Sequence, residues 1–139
     1  MQNKLKFLDH TGDTGIQVWG DSLEDIFSIA AKGMFYVISE SENIKSETEY
    51  PISLQADSNS ELVVFWLSEL NFLFATEGML LSQVDQISVQ DGRLEAVVTG
   101  EIFSPEKHEI LREIKAVTYH QLILEQKNEG WFAQVIFDL

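Results

Sequence analysis

The chain has 139 residues, 45% of them hydrophobic and 23% charged, a balance that suits one folded domain over residues 1–139. Its 23 Asp and Glu against 9 Lys and Arg leave a formal net charge of -14, which disfavours a nucleic-acid grip or attachment to an anionic membrane surface. No cysteine is present, so disulfides, Cys-ligated metals and thiol chemistry are excluded, and a cytoplasmic setting is expected. The first residues, Met1 to Phe7, lack a signal-like apolar core, and the longest apolar run, Leu62 to Leu67, is too short to span a bilayer.

The first notable segment is Asp9-His-Thr-Gly-Asp13-Thr-Gly15. Glycines let it fold tightly, and its carboxylates can converge on a cation; equally, Asp and Thr side chains can simply bond their own turn. Ile16, Val18 and Trp19, between Gly15 and Gly20, suit a short strand. Asp21-Ser-Leu-Glu24 is a helix start, and Leu23, Ile26, Phe27, Ala30, Met34 and Phe35 give one apolar face of a helix over 22–38. Tyr50 to Leu54 is another short strand.

A second helix follows Asp57-Ser-Asn-Ser60 and stops at Gly78. Its stripe of Leu62, Phe65, Trp66, Leu70, Leu73 and Phe74 is widened by Val63, Val64 and Leu67, so it is expected to be the more deeply buried of the two. Ile87 to Gln90 and Leu94 to Val98 flank Asp91-Gly92, a type I′ hairpin signal. Ser104-Pro-Glu-Lys-His108 reads as an exposed loop. Ile114 to Leu124 reads as one long strand, with Lys115, Val117 and Tyr119 on one face and Ala116, Thr118 and His120 on the other. Lys115 and Tyr119 could then line an anion or partner contact, or merely decorate an edge.

The last strand, Trp131 to Phe137, runs almost to the chain end, so Asp138 and the α-carboxylate of Leu139 end an ordered element. Held rigidly, they could share a hard cation; alternatively, they are solvated acids. The two acidic signals become one if a sheet sets this end beside the first segment. The architecture expected is α+β, two-layer, with two helices packed on a mainly antiparallel β-sheet. His10, His108 and His120 lack zinc-type spacing, and no hydrolase elbow, P-loop or dinucleotide fingerprint is present.

Four segments in order resemble the archease family: Asp9-His-Thr-Gly-Asp13-Thr-Gly-Ile16, Trp19-Gly-Asp-Ser-Leu-Glu24, Glu113-Ile-Lys-Ala-Val-Thr-Tyr-His120, and Gly130-Trp131 with Val135-Ile-Phe-Asp138-Leu139. The resemblance spans essentially the whole chain. It implies a non-enzymatic activator of the RNA-splicing ligase that joins 2′,3′-cyclic-phosphate or 3′-phosphate ends to 5′-hydroxyl ends. Such an activator promotes guanylylation of the ligase by GTP, and multiple turnover. The resemblance also implies a divalent-cation site, calcium first and magnesium or manganese otherwise, at Asp13, Asp138 and the carboxylate of Leu139. Asp9, His10, Lys115, Tyr119 and His120 are candidate supporting or partner-contact residues. Gly12 and Thr14 depart from the family pattern of Ala and an apolar residue and are expected to loosen the loop. The alternative role is a chaperone-like modulator of RNA-modifying enzymes. A metal-dependent hydrolase needs a positioned base, and the sequence offers none beyond His10.

Overall fold

The computed structural model describes residues 4–10 and 12–139, with the backbone but not the side chain of His10. It begins with a strand that the sequence reading lacked: β1 (Leu5–His10) pairs antiparallel with β2 (Asp13–Gly20). Strand β2 is longer than the expected core of Ile16 to Trp19 because pairing on both sides recruits Asp13, Thr14 and Gly15.

Helix α1 (Leu23–Ile38) is capped one residue later than expected. Ser22 Oγ accepts from the Asp25 N–H at 3.1 Å, and Asp25 Oδ2 accepts from the Asp21 N–H at 3.3 Å. Glu24 is thereby freed to accept from the Val89 N–H at 3.0 Å, tying the helix start to β4 (Met79–Gln90). Helix α2 (Asn59–Glu77) starts at Ser58, whose Oγ accepts from the Glu61 N–H, and stops at Gly78 with φ 75°.

The burial order of the helices is reversed from expectation. Helix α1 buries nine of its 16 residues, α2 seven of 19. Both helices touch strands of both sheets, but α2 turns Phe65 (38% exposed) and Phe72 (58% exposed) to solvent. The wide apolar surface of α2 is therefore only partly spent on the core.

The strands form two antiparallel sheets where a single one was expected, within the α+β class. One has the order β1-β2-β8-β6, with β8 spanning Gly130–Asp138, β6 Ala116–Val117, and β7 (Ile123–Lys127) also paired to β8. The other has the order β3-β5-β4, with β3 spanning Thr48–Gln55 and β5 Arg93–Ile102. The β4–β5 turn is the expected one: Asp91 and Gly92 take φ 51° and 78°.

The long strand over Ile114 to Leu124 does not form. Between the pairs Val117–Phe137 and Ile123–Gln134, β8 advances three residues while the facing chain advances six. The surplus loops out through Gln121, at φ 53°, and Thr118 bonds the Ile136 carbonyl through both its N–H and its hydroxyl. The alternation proposed for Lys115, Val117 and Tyr119 is broken with it.

One apolar cluster joins both helices to both sheets. At its centre the fully buried Trp66 donates from Nε1 to the Phe27 carbonyl at 2.9 Å, linking α2 to α1. Trp66→Ala is expected to lower unfolding free energy by about 3–5 kcal/mol through lost burial and cavity formation. Phe72→Ala should stay within about 0.5 kcal/mol, as an exposed position does. Urea titrations of both variants against the native chain measure the difference.

Candidate functional site

The site is built where the N-terminal hairpin meets the C-terminal strand. His10 pairs with Asp13, and Gly12 lies in the turn between them. Gly12 sits at φ 81°, a left-handed conformation in which a side chain is strained although space is open around it. Gly12 therefore fits the turn it occupies. Thr14 does not loosen the hairpin either: it is buried, and its hydroxyl donates to the Leu8 carbonyl at 2.7 Å, bracing β2 against β1.

Strand β2 then runs antiparallel beside β8, with Asp13 directly opposite Asp138. Directly opposed residues of an antiparallel pair carry their Cβ atoms about 4.5–5.5 Å apart on one face, and like charges there repel. Close approach of the two strands depends on Gly15. A Cβ there would stand 2.7 Å from both the Ile136 Cδ1 and the Val135 carbonyl oxygen. The Lys115 N–H donates to the Asp138 carbonyl at 2.8 Å, and the Leu139 side chain packs against the core, so the chain end is held.

Among the described residues neither Asp13 nor Asp138 has a salt-bridge partner, and Asp13 Oδ1 is buried without a hydrogen bond. A buried carboxylate oxygen without a hydrogen bond, facing a second carboxylate, calls for a cation or a hydrogen-bond donor. No three His, Asp or Glu side chains converge among the described residues. A hard cation here would take two side-chain carboxylates, the terminal carboxylate, and backbone or water oxygens.

The other expected residues separate. Asp9 pairs with Thr14, one step along the pleat, and so lies on the face opposite Asp13 and Asp138. The side chain of His10 and all of Thr11 lie outside the described residues. Lys115 stays beside the chain end through its backbone. Tyr119 and His120 sit exposed at the turn between β6 and β7 and join no shared face with Lys115.

The match to known proteins follows the same span of chain. The model of the Archease protein family matches residues 5–139. The chain belongs to the archease family. The protein archease of Methanosarcina mazei is 39% identical over 140 residues, covering 98% of this chain and 96% of that one. That of Pyrococcus furiosus is 36% identical over 135 residues, covering 94% and 95%. The solution structure of Methanobacterium thermoautotrophicum protein 1598 superposes with a TM-score of 0.82 at 32% identity, covering 97% of this chain and 98% of that one. A crystal structure from Thermotoga maritima, described as an archease and possible chaperone, shares the fold with a TM-score of 0.65 at 22% identity over 95% and 94% of the chains.

This archease carries a second polar cluster that the sequence reading missed. Ser104 to His108 is only partly an exposed loop, because His108 is buried. Its Nδ1 accepts from the Ser104 N–H at 2.9 Å, which leaves the ring proton on Nε2, 3.4 Å from Glu101 Oε2. The buried Glu101 also accepts from Lys107 Nζ at 2.7 Å and from the Lys45 N–H at 2.8 Å. The Lys107 hydrogen bond, then that of Lys45, holds the Glu101 carboxyl down at about 2, and the same contact raises Lys107. Alternating β-strand spacing hides this cluster, since Glu101 ends β5 and its partners come from two loops.

A carboxyl depressed in the folded state stabilises above its unfolded value and loses that contribution as pH falls through the folded one. The Glu101 contribution is therefore complete above about pH 4.5 and lost on the way to about pH 2. Glu101→Gln should be less stable than the native chain at pH 7, and the gap should close as pH approaches 2. Denaturant midpoints measured across that range check both the sign and the window.

Proposed function

We propose that this archease activates the RNA-splicing ligase that joins 2′,3′-cyclic-phosphate or 3′-phosphate ends to 5′-hydroxyl ends, without catalysing ligation itself. It promotes guanylylation of the ligase with GTP and lets it turn over repeatedly, in tRNA splicing and RNA repair in the cytoplasm. The observation that carries the reading is the Asp13–Asp138 pair, with Asp13 Oδ1 buried and unpartnered among the described residues, in a chain of the archease family. The net charge of -14 supports a role exerted through a basic RNA-handling partner instead of through RNA directly.

Asp13, Asp138 and the Leu139 carboxylate would hold a divalent cation, with calcium, magnesium and manganese all suited to an oxygen donor set. Bound there, a cation neutralises the acidic row and can orient it against groups of the ligase. The chain's part is to fix the donors: the Gly12 turn sets Asp13, Gly15 brings β8 close, and the Lys115 N–H holds the Asp138 backbone.

A chaperone-like role is the second reading. It is favoured by the exposed Phe72, Tyr36 and Leu111, and the Thermotoga maritima relative is itself described as a possible chaperone. That role predicts protection of unrelated clients from thermal aggregation, independent of Asp13 and Asp138.

Calcium at about 100 times its dissociation constant should stabilise the native chain by about 2.7 kcal/mol, and Asp138→Asn should abolish the gain. In chelator the same variant should match or exceed native stability by about 0.2–1 kcal/mol, since one of two opposed charges is gone. Thermal melts with and without metal read both. With purified ligase, GTP and metal, the native chain should raise the guanylylated intermediate and turnover several-fold. Asp13→Ala, Asp138→Ala or extra residues after Leu139 should lose most of that effect. Unaltered stimulation by all three would sink the site's role, and no stimulation by the native chain would sink the activator reading.

A further inference from the structure

The excess of acid is not spread evenly along the chain. No Lys or Arg falls between Lys45 and Arg93, whereas eight Asp and Glu do. Helix α2 lies inside that stretch, and it is the helix whose apolar surface the core uses only in part.

The unused part has a definite layout. Phe65 and Phe72 are seven residues apart, which on a helix leaves them about 20° from one another, both on the solvent side. Glu61 and Glu69 stand four residues before and four after Phe65, on the same side of the helix. Neither has a salt-bridge partner among the described residues. Ser68 and Ala75, each three residues beyond a Phe, are exposed and small, so they leave a step beside the rings.

Beside Ala75 the step opens into a hollow of about 400 Å³, where α2 faces the chain from Phe103 to Ile114. Phe74, Phe103, Ile110 and Ile114 line it, with the Glu113 carboxylate among them. Its far wall is fixed: Asn71 Nδ2 donates to the Ile114 carbonyl at 2.9 Å, and the Phe103 N–H to the Gly78 carbonyl at 2.7 Å. A wall already held loses little freedom when the hollow is filled.

We infer that this face of α2, with the hollow beside it, docks a basic amphipathic helix of a partner protein. The apolar edge of that helix lies along Phe65 and Phe72 and sets one large side chain into the hollow, the helix-in-groove mode of recognition. Its lysines and arginines meet Glu61, Glu69 and Glu113. A purely apolar partner would strip water from those carboxylates without pairing them, and a purely charged one would leave the rings wet. Phosphate-bearing surfaces, whether of RNA or of anionic lipid, are repelled by a stretch without bases. The face is distinct from the Asp13–Asp138 pair, which stands on the side of its sheet turned away from the core and the helices. The inference needs neither reading of the function given above.

The test is fluorescence anisotropy with a labelled synthetic Leu/Lys peptide patterned as an amphipathic helix, and with the same residues scrambled out of helical register. The protein is the native chain or a variant first checked for native circular dichroism and melting. The native chain should bind the patterned peptide at least tenfold more tightly than the scrambled one. Phe72→Ala should weaken binding several-fold, and Phe65→Ala with Phe72→Ala at least tenfold. Glu69→Lys should weaken it several-fold and reduce its dependence on salt. Glu49→Lys makes the same change of charge on the exposed side of β3, away from the core residues Tyr50 and Ile52, and should stay within twofold of native, as should Asp138→Asn. No binding by the native chain overturns the docking face. So does equal affinity for the scrambled peptide, native-like binding by both Phe72→Ala and Glu69→Lys, or an equal loss from Glu49→Lys, each of which reduces the effect to diffuse attraction to an acidic chain.

Discussion

Strand β2 lies between β1 and β8, and its pairing with β8 joins the N-terminal hairpin to residues 131–138 near the chain end. That contact requires Gly15, because any larger residue would meet Ile136 and the Val135 carbonyl. From it follow both sides of the sheet. On one side Ile16 and Val18 meet Val135 and Ala133 beneath α1. On the other, Asp13 is set against Asp138, and Trp19 against Phe132. A shift of one residue in this register would exchange the faces, burying the carboxylates and exposing the core. The apolar set therefore specifies where the acids stand.

That dependence explains how an unfavourable pair persists. Opposed carboxylates cost free energy, but the register that opposes them is fixed by core burial worth far more. Only the final residues could relieve the repulsion by fraying. The Lys115 N–H on the Asp138 carbonyl and the packing of Leu139 oppose that relief. The chain thus holds negative charge at one rigid place, while much of the remaining excess lies on exposed surface.

The helices were legible because their signals are local: capping hydroxyls at Ser22 and Ser58, a glycine stop at Gly78, and apolar residues at three- and four-residue spacing. The Asp91-Gly92 hairpin was legible for the same reason. Strand β1 was not, since Leu5-Lys-Phe-Leu-Asp-His10 alternates poorly and becomes a strand only by pairing with β2. The break near Gln121 was hidden because residues 114–124 carry strand-like composition without glycine or proline, and the surplus residues are expelled by the register of β8. At the site, the residue types of Asp13, Asp138 and Leu139 could be read, and the antiparallel register supplied their juxtaposition. Asp9 could not be sorted from Asp13 without knowing where the turn lay, because one residue of offset changes the face.

Two acids with little exposure of a carboxylate oxygen show how structural and functional charge can be told apart. Glu101 is buried, and it is met by Lys107, by the Lys45 N–H and by the nearby His108 ring, all within the chain. Its carboxylate is met within the chain, although His108 Nε2, 3.4 Å from Glu101 Oε2, is itself buried without a hydrogen bond. Asp13 has a buried Oδ1 with no partner among the described residues and faces another carboxylate across the ladder. Among the described residues folding supplies the Glu101 carboxylate with donors and leaves Asp13 Oδ1 without one. A buried polar atom without a partner costs free energy, and the proposed cation would relieve that cost. Asp13 and Asp138 stand on the side of the sheet opposite Ile16, Val18, Val135 and Phe137, which join the core with the helices, so the register that builds the core also sets the acids apart from it.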